Sequence, residues 1–165
     1  MAVPSNLIHA DDLEWKDQEH KGKVLFRRRM LAKAAGGEKI GCSQYDIPPG
    51  GKLWPYHYHY GNEEAIFVLS GAGKVRLPDG EHPLAPGDYV ALPVGPSSAH
   101  RVMAQDDQGI VVLIFSTMVS PEVAVYPDSQ KIGVSAKAIP GEEGDRGVRK
   151  IVLHDSGVDY WQDED

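Results

Sequence analysis

The 165-residue chain has a single cysteine and no long hydrophobic run. One thiol cannot form an intramolecular disulfide, and it cannot supply a thiolate cluster for a metal ion. The longest apolar stretch, residues 110–115, is far shorter than the roughly 20 residues that span a bilayer. The N-terminal residues also lack a basic start followed by an apolar segment. We therefore predict a cytoplasmic protein with no membrane partner, in which Cys42 is a small buried residue.

Basic charge is also scarce. Lys and Arg number 17 against 24 Asp and Glu, which gives a formal net charge of -7. Binding to a phosphate backbone relies on clustered basic side chains. The one such cluster, Arg27 to Arg29, is short and lies in a strand-like segment, which favours a solvated face with ion pairs. No nucleic-acid partner is predicted.

The chain leaves no room for long helices, because its 18 glycines and 12 prolines fall between short apolar runs. Closely spaced turns of this kind are typical of many short strands in an all-β sandwich or barrel of antiparallel sheets. The predicted strands are Val24 to Ala32, Lys39 to Ile47, Trp54 to Tyr60, Glu64 to Leu69, Lys74 to Leu77, His82 to Leu84, Tyr89 to Leu92, His100 to Ala104 and Ile110 to Ser116.

The two ends differ from this pattern. Residues 1–23 are polar and are predicted to be an N-terminal arm that docks through Trp15. Residues 24–116 form the predicted barrel. Residues 117–165 are predicted to be an extended C-terminal arm and an acidic tail, because prolines interrupt their apolar stretch.

Two features of that C-terminal segment lead to further predictions. Residues 140–150 are rich in glycine and charge, which indicates a loop. Tyr160 and Trp161 stand in the acidic tail and suggest docking into an apolar groove. We expect a homodimer in which such arms are exchanged.

The most informative segment places two histidines one residue apart. Side chains alternate across a strand, so His57 and His59 project to the same side, roughly 6.6 Å apart. Gly61 and Asn62 form a turn signal that returns Glu64 beside them on the next strand. Two imidazoles and a carboxylate suit one divalent transition metal, Fe, Mn, Co, Ni or Zn. A His-x-His pair alone is equally compatible with an exposed edge strand.

The spacing of these residues resembles the first conserved motif of the cupins. That motif consists of glycine, five residues, His-x-His, three or four residues, glutamate, six residues and glycine. This chain satisfies every position, with Gly51, His57, His59, Glu64 and Gly71. The resemblance implies a double-stranded β-helix (jelly-roll) barrel of two antiparallel sheets with a metal inside.

A second cupin motif is matched less closely. Gly87, Pro93, Gly95 and His100 resemble it, which implies His100 as a fourth metal ligand. Four residues rather than two separate Gly95 from His100, and Ala104 replaces the asparagine of the motif. Segments near residues 115–118, 126–129 and 159–161 are similar to small single-domain prokaryotic cupins, the type-2 conserved barrel group, to which no single activity belongs.

Alternation also predicts the surroundings of the ion. If Glu64 and His100 face inward, then Ile66 and Val68 do so on one strand, and Val102 and Ala104 on the other. We therefore expect an apolar cavity suited to a small carboxylate, enol or diketone rather than to a heavily phosphorylated sugar. Tyr56, Tyr45 and Gln44 lie near enough in sequence to contact the site, but none is assigned a catalytic role.

Three functions remain open on this basis. The first is a metal-dependent enzyme of oxygenase, isomerase or lyase type that acts on a small organic molecule. The alternative is a binding or sensing module that holds a small-molecule ligand without turnover. The third is a structural barrel that retains the ligands without using them. The fold by itself does not select among these functions.

Overall fold

The computed structural model describes residues 6–21, 23–136 and 147–164. These residues form thirteen strands, one short α-helix and three 3₁₀ turns, at Ala10–Asp12, Pro96–Ser98 and Pro127–Ser129. In chain order the remaining elements are β1 (Lys16–His20), β2 (Lys23–Met30), α1 (Leu31–Ala34), β3 (Gly41–Ile47), β4 (Tyr58–His59), β5 (Glu64–Gly71), β6 (Gly73–Leu77), β7 (Gly80–Leu84), β8 (Tyr89–Leu92), β9 (Arg101–Ala104), β10 (Ile110–Ser116), β11 (Glu122–Tyr126), β12 (Lys131–Ala136) and β13 (Val148–Leu153).

The strands form three antiparallel sheets. The largest has the order β1-β2-β3-β10-β5-β8, the second β13-β12-β11-β4 and the third β7-β6-β9. Two isolated bridges pair Lys52 with Met103 and His57 with His100. They connect the segment before β4 with β9 and with the residue that precedes β9. The predicted all-β architecture with antiparallel sheets is confirmed.

The apolar core lies between the six-stranded and three-stranded sheets. Ile66 and Val68 of β5 and Val102 and Ala104 of β9 are all buried, which confirms the predicted inward face of both strands. They pack in one cluster with buried residues of the neighbouring strands, among them Phe26, Ile47, Val75, Ile110 and Val112. The period-2 pattern of these strands therefore determines which face the barrel encloses.

Most predicted strands are present, and one differs in a way that matters for the site. The segment Trp54 to Tyr60 is regular only at Tyr58–His59. Pro55 has no backbone N–H to donate to a ladder, and His57 pairs only through its bridge to His100. At β2 the strand ends at Met30, where the helical turn α1 begins.

The N-terminal segment adds an edge strand. β1 pairs antiparallel with β2, although its polar sequence carries no apolar alternation that could predict it. The Trp15 ring lies 4.9 Å from the guanidinium carbon of Arg27 and 4.1 Å from that of Arg29. Arg27 and Arg29 also pair with Asp46 and Asp11, at 2.6 Å and 2.8 Å. The basic cluster is therefore used for packing and ion pairs, as predicted.

The C-terminal segment, predicted to be an extended arm, forms paired strands in the structure. β11 pairs with β4, with Ala124 opposite His59 and Val125 opposite Tyr58. β12 and β13 extend the same sheet. Of the loop predicted at residues 140–150, residues 140–146 lie outside the described residues and 148–150 begin β13. The domain boundaries after residues 23 and 116 stay predictions.

Three smaller predictions have mixed outcomes. Cys42 is only half-buried. Tyr160 and Trp161 are 82% and 72% exposed, so no groove of the described chain holds them, and the exchange of arms in a homodimer stays a prediction. Among the described residues, no helix is long and apolar enough to cross a membrane.

Candidate metal centre

The structure brings three of the predicted ligands together. Donor atoms of His57, His59 and Glu64 all lie within 4.8 Å of one another. His59 belongs to β4, Glu64 begins β5, and the turn at Gly61 and Asn62 joins the two strands. The turn expected from the sequence therefore places the carboxylate beside the imidazoles, although β4 and β5 belong to different sheets.

His100 lies beside the same cluster. Its Nε2 is 3.4 Å from Oε2 of Glu64, and Nε2 of His59 is 3.4 Å from that same oxygen. The backbone N–H groups of His57 and His100 each donate to the other residue's carbonyl, at 3.2 Å and 2.8 Å. This double bridge holds the two rings 4.7 Å apart, centroid to centroid. Despite its longer loop, the second motif thus delivers its histidine to the cluster, and ligation by all four residues stays a prediction.

All three histidines turn Nδ1 toward an oxygen atom outside the cluster. Nδ1 of His57 lies 2.8 Å from the carbonyl of Pro55, and Nδ1 of His100 lies 2.9 Å from that of Ser98. Nδ1 of His59 faces a carboxylate oxygen of Glu122, 3.6 Å away. A carbonyl can only accept, so Nδ1 of His57 and His100 carries the proton, and their Nε2 lone pairs are free for a metal ion.

These residues fit a divalent transition metal. Neither ring nitrogen of His59 makes a hydrogen bond of acceptable geometry among the described residues, although both are buried. A buried polar atom without a partner is costly, and Nε2 of His59 points to the region shared with Glu64. Imidazole nitrogens with one carboxylate suit Fe, Mn, Co, Ni or Zn. An ion at this position would satisfy the atom that the protein leaves without a partner.

Burial and neighbouring charges set the protonation states. Burial, together with the nearby His100 and His59, lowers the pKa of His57 to about 3, so its imidazole is neutral. Burial would raise the pKa of Glu64, but the adjacent imidazoles of His100 and His59 hold it well below its usual range. Burial opposes protonation of His59, yet Glu64 and Glu122 raise its pKa above the ordinary value. A metal ion therefore competes with a proton mainly at His59.

Glu122 is the most important site residue that sequence reasoning missed. It is a buried carboxylate at the start of β11. The Gly61 N–H donates to Oε1 at 3.2 Å, and the Asn62 amide donates to Oε2. Glu122 thereby links the turn after His59 to the imidazole itself. A carboxylate behind a metal-binding histidine fixes the ring orientation and raises its basicity.

Tyr126, also on β11, is the second missed residue. Its ring stacks on His57, 5.8 Å between centroids at 16°. Burial raises the pKa of its hydroxyl, so the group stays protonated. Of the residues expected near the site, Tyr45 lines the adjoining cavity, whereas Tyr56 packs against Arg76 with 3.9 Å from its ring centroid to the guanidinium carbon.

A cavity of about 630 Å³ adjoins the cluster. Part of its wall is apolar, as predicted, and includes Leu53, Trp54, Val102, Ile114 and Ala124. The prediction of a purely apolar cavity without inward basic groups is wrong, because five basic residues also line it. They are Arg28, Lys33, Arg101, Arg149 and Lys150.

The fold resembles several solved structures. The chain is 24% identical, with a TM-score of 0.77, to a sugar phosphate isomerase from a cupin superfamily of Silicibacter pomeroyi, over 91% of this chain and 94% of that one. It is 27% identical, with a TM-score of 0.73, to a protein of Acidithiobacillus ferrooxidans provisionally named a sugar phosphate isomerase, over 90% and 92%. It is 22% identical, with a TM-score of 0.59, to the polyketide cyclase RemF of Streptomyces resistomycificus, over 70% of this chain and 82% of that one.

The family comparison agrees with the geometry. The model of the cupin domain matches residues 43–117, the segment that contains all four predicted ligands. No curated protein matches the chain. The antiparallel strands form the jelly-roll barrel expected from the motifs, with the histidine cluster inside it. Residues 43–117 therefore match the cupin domain family, as the motifs indicated.

Proposed function

We propose that this chain is a metal-dependent enzyme of isomerase type that acts on a small organic molecule. One observation supports it above the others: three histidines, two of them anchored through Nδ1 to backbone carbonyls, and an ionised carboxylate converge at the wall of a cavity of about 630 Å³. A closed structural site would not need a cavity beside it, whereas catalytic metal sites keep open positions for substrate.

The chemistry divides between the ion and the chain. A divalent ion bound here would act as a Lewis acid toward a carbonyl or hydroxyl oxygen of the substrate. His57, His59, Glu64 and His100 would hold the ion, and Glu122 keeps the His59 ring in place. The apolar wall excludes water around the reacting carbons. The Tyr126 hydroxyl stays protonated beside the cluster and is our candidate proton donor.

Isomerisation is favoured over the other two reaction types by similarity. The Acidithiobacillus ferrooxidans protein is 27% identical over nearly the whole of both chains, and its provisional name is that of a sugar phosphate isomerase. Moving a proton between neighbouring carbons needs a polarising ion, for which the cluster provides, and a group that accepts the proton before a donor such as Tyr126 returns one. Oxygenase chemistry would require dioxygen as a co-substrate, which gives a direct test.

The experiment combines metal analysis with two assays. Protein purified without added metal is analysed for its ion, and then incubated with hydroxyaldehydes and hydroxyketones in deuterated water. We expect deuterium at the carbon next to the carbonyl with wild type, and none with His59→Ala. Oxygen consumption in place of exchange would contradict the isomerase proposal in favour of an oxygenase. Tight substrate binding without exchange would instead support the non-catalytic alternative.

A further inference from the structure

The charge around the cavity is opposite to that of the whole chain. The chain has a net charge of -7, yet the described residues lining the cavity include five basic and three acidic ones. Two of the three acidic residues are committed to histidines, because Glu64 lies against His59 and His100, and Glu122 lies against His59. A bound divalent ion would add further positive charge. Such a cavity attracts anions from solution.

Arg149 lies on the same sheet face as the metal centre. Along the second sheet, Glu122 pairs with Ser135, and Ser135 pairs with Arg149. Residues directly paired across antiparallel strands project to the same face. Arg149 therefore shares the face that carries Glu122 toward His59, and it lines the cavity. Tyr126 lies on the same face of β11 as Glu122, four residues further along the strand. The charge of Arg149 acts to lower the pKa of the Tyr126 hydroxyl, against the larger effect of burial.

Arg28 reaches the cavity from the six-stranded sheet. It alternates in β2 with Phe26, whose side chain is buried in the core, so Arg28 projects to the inner side. Its guanidinium carbon lies 5.9 Å from the centroid of the Trp54 ring, which also lines the cavity. Arg27 and Arg29 point to the other side, where they contact Trp15.

We infer that the cavity is an anion subsite in which Arg149, together with Arg28, binds the acidic group of the substrate, a phosphate or a carboxylate. The inference rests on the proposed function in one respect: the other end of the substrate, which carries the reacting carbonyl or hydroxyl, would reach the metal centre. Guanidinium groups bind such oxyanions through paired N–H donors. It narrows our expectation of a carboxylate, enol or diketone to an acidic substrate, and it adds a phosphate as the acidic group.

Inorganic phosphate and acetate serve as probes, titrated calorimetrically into wild type, Arg149→Gln, Arg28→Gln and Lys131→Gln. Lys131 is the matched control, because it is a basic residue of the same sheet that does not line the cavity. We expect each arginine variant to weaken binding of the preferred probe roughly tenfold, the effect of losing one charge-assisted hydrogen bond. Lys131→Gln should bind as wild type does. Stronger binding of phosphate identifies a phosphate group, and stronger binding of acetate a carboxylate.

His59→Ala separates this inference from the proposed function. If phosphate binding disappears in His59→Ala but is unchanged in both arginine variants, the anion binds the ion, and the subsite is refuted while the metal centre stands. If wild type contains no metal but binds phosphate through Arg149, the subsite stands and the proposed enzyme fails. Equal loss in Lys131→Gln and Arg149→Gln would show a general charge effect and overturn the subsite.

Discussion

Residues 43–117 and residues 122–153 contribute to the same site in different ways. The first region carries the matched motifs and supplies every predicted metal ligand on β4, β5 and the approach to β9. The second carries no motif, yet it pairs with β4 and brings Glu122, Tyr126 and Arg149 to the cluster and its cavity. Under the proposed function, the motif region would bind the ion. The C-terminal sheet would orient its ligands and select the substrate beside it.

The largest effect should follow from a change in the motif region. Glu64→Gln removes the one anionic ligand, and we expect metal affinity to fall more than about 100-fold, since changes behind the ligands alone cost roughly 10–100-fold. Glu63→Gln is the matched control, because Glu63 is the residue next to Glu64 and its side chain is exposed. Competition with a chromogenic chelator measures both affinities. Equal affinities in the two variants would remove Glu64 from the ligand set.

Stability should also differ between the two regions. Ile110 is 0% exposed in the barrel core, and Ile151 is 53% exposed on β13. We expect Ile110→Ala to lower the free energy of unfolding by about 2–5 kcal/mol, because it leaves a cavity. Ile151→Ala should change it by no more than about 0.5 kcal/mol. Urea denaturation followed by tryptophan fluorescence gives both values, and similar losses would mean that β13 is buried in solution.

Glu122→Gln tests whether the C-terminal sheet acts on the ion. The amide can keep the hydrogen bond from Gly61 but loses the one from Asn62 and cannot offer His59 a charge, so we expect metal affinity to fall roughly 10–100-fold and the melting temperature to fall as well. The cobalt-substituted protein should also show a shifted visible spectrum. Glu81→Gln is the control, because Glu81 pairs with Lys74 on the surface. An unchanged spectrum and affinity would reduce Glu122 to a structural residue.

The smallest effect belongs to the N-terminal edge. Trp15→Ala removes two cation–π contacts with Arg27 and Arg29, each contributing about 0.5–1 kcal/mol at an exposed site. We expect thermal unfolding to show a matching decrease in the free energy of unfolding. Metal affinity should be unchanged, because neither arginine lines the cavity. A change in metal affinity would show that the N-terminal strand is coupled to the site.

The ligands were predictable because their geometry is local. His57 and His59 share a face by alternation, and a short turn returns Glu64 to them, so chain spacing alone carries the information. His100 required a family motif, since its pairing with His57 joins residues far apart in the chain. The buried faces of β5 and β9 also followed from alternation.

The contribution of the C-terminal segment was not predictable from the sequence. Pro121 and Pro127 flank β11, and such flanks favour an extended arm over a sheet strand. Pairing between β4 and β11 is a long-range contact with no turn or motif to specify it. The position of Arg149 at the cavity follows only from a register across three strands. The basic residues that line the cavity were therefore missed.

X-ray absorption at the metal edge, on protein purified without added metal, tests the central claim most directly. We predict one divalent transition metal whose first coordination sphere contains three imidazole nitrogens and a carboxylate oxygen at about 2.0–2.2 Å, as zinc would show. The imidazoles are those of His57, His59 and His100, and the carboxylate is that of Glu64. A spectrum with no bound metal, or with an ion coordinated by fewer than two imidazoles, would contradict the account.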